Sequence, residues 1–275
     1  MRVLIADQLS NEVVETLTEV GCVLEINPAL KEESLAKAIE SFEPQALVVR
    51  STKVGPSHLE KASSLALIIR AGAGTNTIDV KLASAKGIYV ANCPGKNAIA
   101  VAELTMGHLI NLDRRIADNV AALRNHQWAK KEYGKAKGLH GRTLAVLGAG
   151  KIGQEVIKRA LSFGMKVKLW SRSLTPQQAE NLGVTFAESP LEACRDADAL
   201  TVHLASSPQT HHLVNKELLE ALNEGAYVIN TSRGELVDTA ALIEASNNRG
   251  LKAGLDVFEN EPAANDTVFP HPIAD

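Results

Sequence analysis

From residue 2 onward, short apolar runs rich in β-branched residues alternate with stretches of helical periodicity. RVLIA leads into SNEVVETLTEVG and CVLEI into KEESLAKAIESF, and ALVV, LALII and IYV follow in turn. Such alternation predicts strand–helix–strand units and parallel pairing. A second series opens at Thr143 with TLAVLG and a helix running to Phe163. It continues with KVKLW, ALTVH, AYVIN, a helix from Asp238 to Asn248, and AGLDVF. Between the series lies an apolar helix, Ala98 to Leu112, which continues through DRRIADNVAALRNHQW into KKEYGKAKGLHG, a polar linker or surface loop. The expectation is an α/β chain of two doubly wound parallel-sheet domains, residues 1–97 and 98–275, with the boundary at the helix entry. No fixed-period repeat or low-complexity tract disturbs this division.

Composition narrows the chemistry. A chain of 275 residues, 45% of them hydrophobic, suits two packed domains. Its net charge of −3, from 29 basic and 32 acidic residues without a like-charge run, leaves no footprint for nucleic acid or an anionic membrane. Small-molecule chemistry is the expectation. Cys22, Cys93 and Cys194 have no CxxC spacing, so neither a disulfide framework nor a zinc knuckle is implied, and a reducing cytoplasm fits. The N-terminus meets Asp7 before an apolar signal region can develop and reads as a first strand. Ala98–Leu112 is interrupted by Glu103 and His108 and falls short of the roughly 20 residues of a membrane span, so it reads as a buried helix.

The segment TLAVLGAGKIGQEVIKRALSFG places Gly148, Gly150 and Gly153 in GxGxxG spacing, after a strand and at the start of a helix. That context points to a dinucleotide turn: Gly148 for the tight bend, Gly150 for approach of backbone to pyrophosphate, Gly153 for close helix–strand packing. Lys151 and Ile152 lie inside it. An Asp or Glu usually receives the adenosine ribose of NAD at the end of the next strand. Here KVKLW ends in Ser171, Arg172 and Ser173. A guanidinium flanked by two hydroxyls suits a 2′-phosphate, which favours NADP over NAD; NAD bound without its acidic partner is the alternative.

Arg50 ends ALVVR and Arg70 ends LALIIR, so both stand at carboxyl ends of expected parallel strands, where open α/β sheets bind ligands. Each alone reads equally as a strand-end surface charge, but the pair, one beside a GAG turn, points to an anionic substrate. Arg233 follows VINTS at a third strand end and precedes Gly234, which permits close backbone approach.

Three stretches, VVRSTKV with IIRAGAGTNTIDV, NCPGKNAIAVAE, and VINTSRGELVD with GLDVFENEP, resemble in order the D-isomer-specific 2-hydroxyacid dehydrogenase family. The resemblance implies a flavodoxin-like substrate domain followed by a Rossmann cofactor domain, and a homodimer whose contact includes Ala98–Leu112. It implies that Arg50, Ser51 and Arg70 hold an anionic tail and that the turn Gly72, Ala73 and Gly74 presents amides to a carboxylate. Arg233 would bind the substrate carboxylate and polarise the C2 carbonyl, gaining strength as charge grows on that oxygen. Glu261 would support a catalytic histidine in its protonated form, with its neighbour Glu259 the competing candidate for that role, read as solvated. Asp256, Asn97, Thr231 and His203 match positions near the cofactor, although His203 reads as readily as a packed strand-end residue.

The family's proton-donating histidine follows a further strand, beyond DVFxxEP. His271, between Pro270 and Pro272, matches instead the His-Pro pair before that strand, and so the chain reads as part of a longer protein. Within the family, the arginines most resemble members that oxidise D-3-phosphoglycerate. The rivals are an NADPH-dependent glyoxylate or hydroxypyruvate reductase and, from another class, a dinucleotide-sensing binding protein or inactive fragment.

Overall fold

The ten apolar runs read from the sequence all form strands in the computed structural model, which describes residues 1–262 and 268–274. They fall into two units, Met1–Asn97 and Ala98–Asp275.

The first unit runs β1 (Arg2–Ile5), α1 (Asn11–Glu19), β2 (Val23–Ile26), α2 (Glu32–Phe42), β3 (Ala46–Val49), α3 (Pro56–Glu60), β4 (Leu67–Arg70), α4 (Val80–Ala85) and β5 (Tyr89–Asn92). Its strands pair in parallel in the order β2-β1-β3-β4-β5, the flavodoxin-like arrangement. Period-two alternation sends Leu4, Leu47, Val49 and Ile68 to one face, under Leu35, Ile39, Leu59 and Ala83. Val3, Ile5, Ala46 and Val48 face the other side, toward Val14 and Leu17 of α1. Burial on both faces is why these runs are continuously apolar.

The second unit opens with α5 (Ala98–Arg114), α6 (Ile116–Arg124) and α7 (Lys130–Tyr133). It continues through β6 (Thr143–Leu147), α8 (Lys151–Ser162), β7 (Lys166–Trp170), α9 (Pro176–Asn181), β8 (Thr185–Phe186) and α10 (Pro190–Cys194). After β9 (Ala199–Val202), α11 (Lys216–Ala221), β10 (Tyr227–Asn230) and α12 (Thr239–Arg249) it closes on β11 (Lys252–Leu255). The parallel order β11-β10-β9-β6-β7-β8 reverses direction between β6 and β9, the crevice where doubly wound sheets take ligands. α5 and α8 cover one face through Ala102, Met106, Leu109, Val156 and Ile157; α10, α11 and α12 cover the other through Cys194, Leu218, Leu219 and Leu242.

Three readings need correction. The long helix after Ala98 does not run on unbroken: Arg115 takes left-handed backbone at φ 51° and separates α5 from α6. The polar stretch after Trp128 contains α7 and is tied into the second unit, where the buried carboxylate of Asp113 accepts the amides of Lys137 and Gly138 and the hydroxyl of Tyr227. Finally, α5 is buried on one face only, leaving Ile99 and Leu104 exposed on the other. Among the described residues, no helix is long and apolar enough to cross a membrane, and all three cysteines are free thiols.

Candidate active site

The glycine turn sits at the carboxyl end of β6, beside the reversal point. Gly148 bends at φ +112°, and a Cβ there would stand 2.3 Å from the carbonyl oxygen of His203. At Gly153 a Cβ would lie 2.0 Å from the carbonyl oxygen of Gly148, so helix and turn meet too closely for any side chain. Gly150, the N-cap of α8, is different: nothing lies within 4 Å of its Cβ position, and it borders a cavity of about 500 Å³. The α8 N-terminus therefore presents bare backbone to open space, as a pyrophosphate requires. Lys151 is the exposed first residue of α8 and Ile152 is half-buried behind it.

Ser171 and Ser173, after β7, border the same cavity with Gln154 and Gln178. They also border a second cavity of about 300 Å³, shared with Arg172, Trp170, Ala205 and Thr210. Among the described residues, no carboxylate lines either space. His203 packs under the turn. Its Nε2 lies 2.9 Å from the Thr201 hydroxyl, its Nδ1 is buried without a hydrogen bond among the described residues, and burial pushes its pKa down to about 4, so it is neutral at physiological pH.

At the end of β10, Asn230 organises the loop that carries Arg233. Its Nδ2 donates to the Arg233 carbonyl at 2.8 Å and its Oδ1 accepts the Ser232 amide at 3.0 Å. The Ser232 hydroxyl ties the loop to β9 by donating to the Val202 carbonyl. The Arg233 side chain is exposed, with Nη1 turned to the Ser232 carbonyl, and makes no salt bridge among the described residues. Glu235 instead accepts from Ser206, and Asp238 caps α12. Gly234 is required by contact, since a Cβ there would meet the Phe258 carbonyl at 2.0 Å. Thr231 is buried against Thr105, Oγ1 to Oγ1 3.2 Å. Asp256 is exposed after β11, its amide donating to the Asn230 carbonyl.

In the first unit, Arg70 ends β4 and Arg50 directly follows β3. Asp7, which no motif in the sequence marks as a site residue, holds the Arg50 loop. Its carboxylate accepts the amides of Arg50, Ser51 and Thr52 and the Ser51 hydroxyl. Burial alone would raise the Asp7 pKa, but these donors outweigh it and hold the carboxyl below its usual value. The Arg50 side chain is exposed and makes no salt bridge among the described residues. The Arg70 guanidinium lies across Gly72, so close that a Cβ there would stand 1.5 Å from Nη1. The Gly72 amide is already bonded to the Arg70 carbonyl, 2.7 Å away. Asn97 is exposed at the last position of this unit.

Two acidic residues exchange character. Glu259, expected to be solvated, is half-buried, accepting the Thr239 amide at 3.1 Å and facing His212 Nε2 at 2.5 Å. Glu261 is exposed and accepts the Phe258 amide at 3.2 Å. His271 is buried between Phe258 and Phe269, ring centroids 5.2 Å from each.

Residues 106–273 match the family model for the D-isomer specific 2-hydroxyacid dehydrogenase NAD binding domain. The chain belongs to that family. It is 39% identical over 271 residues to D-3-phosphoglycerate dehydrogenase of Methanocaldococcus jannaschii, covering 98% of this chain and 51% of the relative. To hydroxypyruvate reductase of Thermotoga maritima it is 37% identical over 271 residues, covering 96% and 85%. Among solved structures, the TT0316 protein of Thermus thermophilus aligns with a TM-score of 0.84 at 34% identity, over 95% of this chain and 83% of that one. The chain spans about half the length of the phosphoglycerate dehydrogenases it matches.

Proposed function

We propose that this chain carries the dinucleotide-holding and substrate-anchoring parts of an oxidoreductase acting on a small D-2-hydroxy acid, with D-3-phosphoglycerate the first candidate. The observation that carries this is the single strand-end rim of the six-stranded unit. There the bare backbone at Gly150 opens on a cavity, and Arg233 is held out with no salt bridge among the described residues. A nicotinamide dinucleotide, when bound, supplies or accepts the hydride. Gly148 and Gly153 shape the turn, Gly150 leaves space for pyrophosphate, and Lys151 and Ile152 begin the helix behind it. Among the described residues no carboxylate lines the cavities at Ser171, Arg172 and Ser173, which favours NADP, because the guanidinium and hydroxyls donate to a 2′-phosphate without an acidic neighbour to repel it. Thr231, His203, Asn97 and Asp256 are assigned to the surroundings of the same cofactor.

Arg233 is assigned the substrate carboxylate and the C2 oxygen. Its value rises as negative charge builds on that oxygen, so its loss falls mainly on turnover. Arg50, Ser51, Arg70 and the turn Gly72–Gly74 are assigned the anionic remainder of the substrate. Among the described histidines, none at these strand ends is assigned proton donation: His203 is neutral and packed, and His271 is enclosed by phenylalanines. Glu261, exposed, is assigned the support of that donor. A reductase for unphosphorylated hydroxypyruvate is the second reading, favoured by the similarity to the Thermotoga maritima protein over 85% of that protein's length. A homodimer is proposed through α5 and α6, where Ile99, Leu104, Ile116 and Leu123 are exposed together with Trp128.

Equilibrium binding of phosphohydroxypyruvate and hydroxypyruvate to the dinucleotide-loaded chain separates the two readings. Phosphohydroxypyruvate is expected to bind more tightly, with that advantage lost in Arg50→Ala. Equal binding of both acids, unaffected by Arg50→Ala, contradicts the phosphorylated substrate.

A further inference from the structure

Outside the residues assigned above, one cluster in the second unit has ligand chemistry without a described task. His211 and His212 lie in the loop after β9, and Glu259 lies after β11. One nitrogen or carboxylate oxygen from each falls within 4.8 Å of the other two. Consecutive side chains on an extended backbone point to opposite sides. Here His212 takes left-handed backbone, φ 49°, and the two imidazoles stack with centroids 4.0 Å apart and planes at 29°. Hydrogen bonds hold the bend: His212 N–H donates to the Glu235 carbonyl at 2.8 Å and Leu213 N–H to the Thr210 carbonyl at 3.2 Å. Such a conformation is strained for a non-glycine residue, and it persists only where its surroundings enforce it.

Glu259 is oriented as firmly. Its Oε2 accepts the Thr239 amide at 3.1 Å while Oε1 faces His212 Nε2 at 2.5 Å, and the two side chains are only 20% and 36% exposed. A simple surface ion pair uses one histidine and needs no second ring aligned beside it.

We propose that His211, His212 and Glu259 form a binding site for a divalent transition-metal ion of the zinc class. Two imidazole nitrogens and one carboxylate oxygen match zinc, cobalt, nickel or copper, whereas calcium and magnesium favour all-oxygen sites. The Thr239 amide supplies the outer contact that orients the carboxylate. Ligand atoms about 2.0–2.2 Å from a tetrahedral ion stand roughly 3.3–3.6 Å apart, so the ion enters by opening the 2.5 Å His212–Glu259 contact and drawing together ligand atoms that now lie within 4.8 Å of one another, each a shift of about 1 Å. Three protein ligands leave a fourth position for water. The ion joins the loop after β9 to the loop after β11. Thr210 and Leu213, on either side of the histidines, line the cavity next to Arg172, so metal loading stiffens one wall of that cavity. Only this last consequence rests on the dinucleotide reading; the site itself stands without it.

The test is calorimetric titration of the full chain with zinc, together with the visible absorption of bound cobalt. One ion per chain and a tetrahedral cobalt spectrum are expected. Affinity should fall about tenfold or more in each of His211→Ala, His212→Ala and Glu259→Gln, but not in His126→Ala, a control at an exposed histidine. Zinc should also raise the thermal unfolding midpoint of the wild type and leave His212→Ala unchanged. His211 is exposed, so its variant keeps the test open even if altering His212 unsettles the loop. Absence of saturable binding by the wild type, or unchanged affinity in His211→Ala, overturns the proposal. Dinucleotide titrations have no bearing on this outcome, so the two readings fail separately.

Discussion

Gly150 and Gly153 stand three residues apart in one turn, yet they meet opposite conditions. A methyl group at Gly153 collides with the Gly148 carbonyl oxygen at 2.0 Å, so Gly153→Ala should lower the unfolding free energy by about 1–3 kcal/mol, as read by denaturant titration. Arg172 is a test of cofactor choice. Removing a charge-assisted partner of a phosphate should weaken NADPH binding by roughly 10- to 100-fold and leave NADH nearly unchanged, as measured by nicotinamide fluorescence. Equal losses for both cofactors would refute a 2′-phosphate role. The glycines were legible in the sequence because a turn that excludes side chains demands one residue type at fixed spacing. Asn230 and Asp7 were not. Their work is done by hydrogen bonds that only the fold creates: Asp7 reaches amides 43 to 45 residues away, and no local pattern marks such a residue. Glu259 was misread for the same reason, since its partners His212 and Thr239 are distant in sequence.

At the level of elements, the loop after β3 depends on ionised Asp7. Its folded pKa lies below the ordinary value of 3.8, so its stabilisation is fully present above that value and is lost as pH falls through the lowered folded pKa. Asp7→Asn should therefore lower stability at neutral pH and flatten the acid limb of a stability–pH curve; an unchanged acid limb contradicts the assignment. Asp113 does comparable work at the end of α5. Its carboxylate lies 3.6 Å from Arg142 Nη1 and secures Lys137 and Gly138. Asp113→Ala should cost about 3–5 kcal/mol by chemical denaturation, because it leaves the Lys137 and Gly138 amides without an acceptor and the poorly exposed Arg142 guanidinium without a carboxylate, holding only the Asp198 carbonyl and the Tyr227 ring among the described residues. Strands were readily legible, since burial on both sheet faces makes each a continuous apolar run. The break at Arg115 was not, because neither glycine nor proline announces it, and β8, two residues long, offers too little pattern to read.

For the whole molecule, the exposed apolar side chains of α5 and α6 lead to an expectation in solution. Replacing Leu123 with Asp and Trp128 with Ser should convert a dimer to monomers by light scattering, with the fold intact by circular dichroism. A wild type already monomeric contradicts the proposed contact. Both units were legible as doubly wound sheets because the apolar runs recur with helical stretches between them, whereas the arginine-bearing strand ends gain meaning only from strand order. The central claim is that the six-stranded unit holds a nicotinamide dinucleotide against the backbone at Gly150. Its most direct test is to titrate NADPH into the wild type and into Gly150→Val, whose Cβ enters open space. Saturable binding by the wild type, abolished in a variant with an unchanged circular dichroism spectrum, is the predicted result. Failure of the wild type to bind NADPH or NADH, or equal binding by the variant, would contradict it.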